Sequence, residues 1–197
     1  MLQIVYGEAI AILVGDALLS SAFQLVAEKT PDTVSAERKL DIIARMGRTC
    51  GPIGLAGGQL MDLECEGKDN VTLSELRWIH HHKTAALLEL AAVGGGIVGG
   101  ATKEEVEVLS TIAINMGIAF QVADDILDIT KTSEELGKTA AKDLKADKTT
   151  FPKLMGIEES KEEARKLIKA AKSSLERFGN KAEPLLAIAD YIVERKS

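Results

Sequence analysis

The segment 120–131, FQVADDILDITK, sets three carboxylates into an otherwise apolar helical stretch, and this constrains the fold more than any other feature of the chain. Asp124 and Asp128 are spaced i, i+4, and Asp125 and Asp128 i, i+3, so all three share one helical edge. Phe120, Val122, Ala123, Ile126, Leu127 and Ile129 mark the same helix as mostly buried. Buried carboxylates must project into a cavity or meet compensating charge. The chain therefore has to fold around a polar site.

A second segment, 137–154, follows with Lys138, Lys145 and Lys148 and carries Pro152 near its end. Hard oxygen donors suit Mg²⁺, which takes few carboxylates and completes its shell with water and phosphate oxygens. Lysines near such a metal suit a polyphosphate. The residues alone also allow a plainer reading, an acidic helix end neutralised by a solvated lysine loop.

Helix start signals recur along the chain. Thr72 with Glu75, Thr102 with Glu105, Thr132 with Glu135, and Ser160 with Glu163 have capping-box spacing, which predicts helices beginning near 73, 103, 133 and 161. A helix over 7–28 is apolar nearly all round, as expected of one buried centrally or at a subunit interface. Another is predicted over 35–48, and Gly179 is a stop before a last helix over 182–195. The glycines at 94–96 and 99–100 are expected to end a helix and permit a tight turn. No stretch alternates as a strand does, so the fold class is all-α, in one domain over 1–197.

Thirty acidic against 24 basic residues give a formal charge of −6, which argues against nucleic acid as a partner. Two cysteines, Cys50 and Cys65, are too few for a zinc site or disulfide framework and read as buried thiols in a reducing compartment. The longest weakly polar run, 84–100, is too short and too interrupted for a membrane span. No targeting peptide is read before Tyr6, so plastid or cytoplasm is the expected location.

Several motifs in order carry a resemblance. Asp124, Asp125 and Asp128 preceded by Phe120 and Gln121, Gly137-Lys138, Asp147-Lys148-Thr149, the histidine-lysine-threonine run His80 to Thr84, and Gly57 to Gly67 with Gln59 and Asp62 resemble the trans-isoprenyl diphosphate synthases. The likeness is greatest to geranylgeranyl diphosphate synthases of plant and plastid type. It implies an isoprenoid-synthase helical bundle and magnesium-dependent condensation of isopentenyl diphosphate with an allylic diphosphate. It assigns metal to Asp124, Asp125 and Asp128, and the diphosphate and reacting prenyl group to Lys83, Thr84, Gln121, Lys138 and Lys148. Gln59 and Asp62 would face the same pocket. The His80–His82 triplet, with no carboxylate at metal-ligand spacing, reads as mostly structural.

The resemblance begins just after the Arg-Arg-Gly-Lys-type segment that follows the family's first aspartate-rich motif, and no second Asp-Asp-x-x-Asp occurs here. The expectation is a bundle incomplete at its N-terminus, active poorly or not at all as an isolated 197-residue chain. A homodimer, or a heterodimer with a complete synthase, is the expected assembly. A non-catalytic regulatory subunit is the alternative function. A terpene cyclase is disfavoured by the Gly137-Lys138 and Asp147-Thr149 loop, and a di-iron bundle by the lack of Glu-x-x-His pairs.

Overall fold

The computed structural model describes residues 2–135 and 148–195, and for 131–135 the backbone alone. Gly137, Lys138, Lys145 and Asp147 lie outside the described residues. Among the described residues the elements are all helical, as predicted. They are α1 (Leu2–Tyr6), α2 (Glu8–Lys29), α3 (Ala36–Cys50), α4 (Leu55–Cys65), α5 (Leu73–His80), α6 (Ala86–Gly99), α7 (Lys103–Glu135), α8 (Phe151–Met155), α9 (Ile157–Leu175) and α10 (Glu183–Glu194). A π-helical turn, His81–Ala85, joins α5 to α6, and a 3₁₀ stretch, Glu176–Ala182, joins α9 to α10.

The α7 helix is the axis of the bundle, packed on α9 and α10 along one side and on α6 along another. Ile112, Met116 and Ala119 meet Ile168, Ala171 and Leu175 of α9 and Ala189 and Ile192 of α10. A second layer joins Ile42 and Met46 of α3 to Val93 and Ile97 of α6. Val122 of α7 packs with Leu76, Phe151 and Ala164, and this third cluster floors the polar site.

Local chemistry explains most helix starts. Thr72 and Glu75 form the reciprocal capping box, with Glu75 accepting from the Thr72 amide at 2.8 Å and the Thr72 hydroxyl accepting from the Glu75 amide at 3.2 Å. Thr102 and Glu105 repeat it before α7 at the same distances. Ser35 caps α3, and Gly179, at φ 56, kinks the chain before α10.

Two predicted starts are corrected. No helix begins near 133, because α7 runs unbroken to Glu135, and extending a formed helix costs less than nucleating a new one. None begins near 161, because α9 starts four residues earlier. Its Ser160 is buried and donates to the Gly156 carbonyl at 2.6 Å, while Glu163 pairs with Arg77 at 2.5 Å. Gly94 to Gly96 do not end a helix either, since they lie inside α6. A Cβ on Gly96 would stand 2.5 Å from a Leu109 methyl, so glycine there permits close approach of α6 to α7. Only Gly100, at φ 90, caps the helix. Cys65 is buried as expected, whereas Cys50 is half-buried.

The α2 helix is not buried within this chain. Ile12, Leu13 and Leu18 are 64–65% exposed, and only Ala22, Phe23 and Val26 pack on the α3–α6 layer. By length and composition alone, α2 and the 103–130 part of α7 are apolar enough to cross a membrane; the latter is the core helix of the bundle.

Candidate active site

The π turn is where the site begins. The Ala86 amide reaches the His81 carbonyl, five residues back, so the helix widens by one residue at Lys83 and Thr84. Backbone packing holds it from two sides. A Cβ on Gly58 of α4 would lie 2.5 Å from the Lys83 amide nitrogen, and one on Gly117 of α7 would lie 2.5 Å from the Ala85 Cα. Glycine at both positions lets α4 and α7 clamp the turn.

Clamped there, Lys83 extends its ammonium to Asp62 of α4 at 2.5 Å. Lys148 reaches the same Asp62 oxygen at 3.1 Å and approaches Glu66 at 3.6 Å. Burial pushes the Asp62 carboxyl up, but the hydrogen bonds and charges of the two lysines outweigh it and hold the group below the usual carboxylate range. For Lys148, burial pulls the ammonium down and Asp62 more than restores it, so its pKa is raised.

Opposite stands α7. Asp125 points inward, its side chain 14% exposed, and accepts from the Phe151 amide at 2.9 Å. Burial is the main force raising its pKa, to about 7; the Phe151 amide opposes the shift, and Asp128, Asp124 and Asp62 reinforce it. His80 lies 3.9 Å from this carboxylate, with its ring 5.4 Å from that of Phe151. Burial drives the imidazole down to about 4, against the pull of Asp62 and with the push of Lys83. His80 is therefore neutral near pH 7 and forms no ion pair with Asp125. Asp124 turns elsewhere, with Gln121 Nε2 donating to it at 3.1 Å and the Arg195 guanidinium pairing with it.

The predicted residues thus fall into two groups. Lys83 and Lys148 converge on Asp62, while Asp125 stands opposite on α7; Asp124 and Gln121, on the same helix, bond each other, and Asp128 is exposed. Lys138 lies outside the described residues. Asp62 carries more of the site than a lone core carboxylate was expected to. Of two other contributors, His80 belongs to the triplet read as mostly structural, and Arg195 had no spacing signal to announce it. Of the triplet, His82 does pack structurally, stacked on Trp78 at 3.9 Å.

Among the described residues no three His, Cys, Asp or Glu side chains close into a preformed metal cage. The donor set nevertheless fits Mg²⁺. A buried carboxylate crowded by other acids is relieved by a dication, and Mg²⁺ takes one or two protein oxygens with water and phosphate completing the shell.

A family model described as polyprenyl synthetase matches residues 1–186. The chain belongs to that family. Among the polyprenyl synthetases it resembles is a chloroplastic geranylgeranyl pyrophosphate synthase of Capsicum annuum, 50% identical over 97% of this chain and 52% of the relative. Another is the large subunit 1 of a heterodimeric chloroplastic geranylgeranyl pyrophosphate synthase of Arabidopsis thaliana, 50% identical over 98% of this chain and 53% of the relative. The fold matches a Helicobacter pylori geranyltransferase solved with magnesium and isoprenyl diphosphate, at TM-score 0.77 and 28% identity over 98% of this chain and 62% of that one. The chain spans about half the length of the curated relatives it matches.

Proposed function

We propose that this chain supplies the metal- and diphosphate-binding wall of a magnesium-dependent prenyltransferase that condenses isopentenyl diphosphate with an allylic diphosphate, as geranylgeranyl diphosphate synthases do. One observation carries the reading: Lys83 and Lys148, from separate segments, meet on a single carboxylate, Asp62, whose charge also acts on buried Asp125. Two ammonium groups gathered at one point form a receptor for an anion with several oxygens. A diphosphate presents such oxygens and would take the lysines over from Asp62.

Asp124, Asp125 and Asp128 would hold Mg²⁺, which supplies positive charge to the pyrophosphate as it leaves. Lys83 and Lys148, with Lys138, neutralise the charge that grows on the departing oxygen as the allylic carbon–oxygen bond breaks. The Thr84 hydroxyl and Gln121 amide flank the diphosphate and the allylic cation. The double bond of isopentenyl diphosphate then attacks that cation, a carbon–carbon bond forms, and loss of a proton restores the alkene. Phe120 and Phe151 help exclude water that would quench the cation.

Calorimetric titration with Mg²⁺ and geranyl diphosphate tests this. Lys148→Ala should weaken binding by about 1.5 to 3 kcal/mol, the range for a charged hydrogen bond. Lys172→Ala, which breaks a surface pair with Asp190, should cost at most about 1 kcal/mol. Equal losses would reduce the lysine pair to solvated charge.

The exposed face of α2 favours an assembly, either a homodimer or a heterodimer with a complete synthase. In the heterodimer the chain acts as a regulatory subunit rather than a catalyst. The chloroplastic relatives support the plastid as the location. Product from the 197-residue chain alone, assayed with labelled isopentenyl diphosphate, separates catalyst from subunit.

A further inference from the structure

Arg195 follows α10 in an extended conformation, yet its side chain reaches back 71 positions to the aspartate helix. Its Nη2 donates to Asp124 and, at 3.2 Å, to the Phe120 carbonyl, while the guanidinium lies 4.1 Å from the centre of the Phe120 ring. The side chain is only 10% exposed, and among the described residues its buried Nε has no hydrogen-bond partner. On the other Asp124 oxygen sits the Gln121 amide, at 3.1 Å. Both oxygens of Asp124 are thus occupied by donors, one of them cationic. Asp125, in contrast, faces the Phe151 backbone amide and the His80 ring.

A guanidinium cannot shed its charge near neutral pH, so this cation is permanent. A dication bound at Asp124 would stand beside it, and at that separation in a partly buried site the repulsion is large. Losing the arginine would remove that repulsion while Gln121 still holds the other Asp124 oxygen. We propose that Arg195 is an internal counter-ion that competes with the dication for Asp124 and keeps it neutralised until metal and diphosphate arrive together. The inference rests on the metal assignment made above. It makes Arg195 a positioning residue, acting on the metal site through Asp124.

Mn²⁺ binding to the full chain, followed by electron paramagnetic resonance without diphosphate, tests it. Arg195→Gln should bind Mn²⁺ about tenfold more tightly than wild type, because the opposing charge is gone. Arg195→Lys, which keeps the charge, should stay within about threefold of wild type. Unchanged or weaker binding in a folded Arg195→Gln protein overturns the proposal. Should that variant not fold, the wild-type protein answers instead: the Arg195 Nε–H resonance must shift on adding Mg²⁺ with pyrophosphate, and a fixed resonance overturns it. Failure of the metal assignment looks different, since Asp124→Asn and wild type would then bind Mn²⁺ with pyrophosphate equally.

Discussion

The helices α2 and α7 are both long and both apolar, but the chain treats them in opposite ways. No residue of α2 is buried, whereas α7 contributes Ile112, Ala113, Met116, Ala119 and Val122 to the core and carries three carboxylates besides. The acidic helix is the buried one. Helices on several sides of α7 supply its carboxylates with an amide, an arginine and a polar cleft, and that supply makes burial tolerable. Hydropathy reports how much a helix gains from being covered, not what covers it.

Truncation in the two helices separates them most sharply. Ile112→Ala, at a site 1% exposed, should lower unfolding stability by about 2 to 5 kcal/mol in urea titrations. Ile12→Ala on α2 should stay within about 0.5 kcal/mol when the chain is monomeric. If Ile12→Ala is equally costly in dilute protein, α2 is covered within the chain and the contrast fails. Loss of a dimer by light scattering in that variant would identify a second chain as its cover.

Added volume gives a smaller contrast. A methyl at Gly117 would strike Ala85, so Gly117→Ala should cost about 1 to 3 kcal/mol through overpacking. Gly15→Ala meets nothing within 4 Å and should stabilise α2 by up to about 1 kcal/mol. Thermal unfolding of the pair checks both signs, and a stabilising Gly117→Ala would mean that α7 is not clamped.

A pH slope marks the contact between Asp125 of α7 and His80 of α5. With Asp125 raised from 3.8 to about 7, the metal-free fold binds the extra proton, so this group's stability is full below about pH 4 and is lost as pH rises through 7. With His80 lowered from 6.5 to about 4, its contribution is full above 6.5 and is lost as pH falls through 4. Between pH 4 and 6.5 the two oppose each other. In chelator, Asp125→Asn should therefore gain stability with rising pH, and His80→Gln should lose it, each by up to about 1.4 kcal/mol per unit. Parallel profiles for the two variants would break the assignment.

Much of this was legible in the sequence because the relevant physics is local. A hydroxyl three residues before a glutamate, as at Thr72 and Thr102, satisfies backbone donors wherever the chain enters a helix. The same spacing at Ser160 misled, because a hydroxyl inside a formed helix bonds the carbonyl four residues back instead. In the site, Asp124, Asp125, Lys83 and Lys148 sit in ordered motifs and could be named. Asp62 was placed at the same pocket by resemblance, but the contacts that join these residues could not be named. Asp62 joins Lys148 across 86 positions and Arg195 joins Asp124 across 71, and no periodicity encodes a contact that only the bundle creates.

The π turn at His81–Ala85 has a consequence for how such a chain can change its length. One extra residue in a helix rotates everything beyond it by about 100°, the angle between neighbours at 3.6 residues per turn. The turn absorbs that rotation between α5, which faces α4, and α6, which faces α3 and α7. Deleting a single residue from 81–85 would leave a regular helix with the α6 face still in phase, so the loss would fall on the aim of Lys83 and Thr84 rather than on the packing of α6. Insertions and deletions should be borne far more easily in the 66–72 connection, where the chain can coil to take them up, than in these five residues.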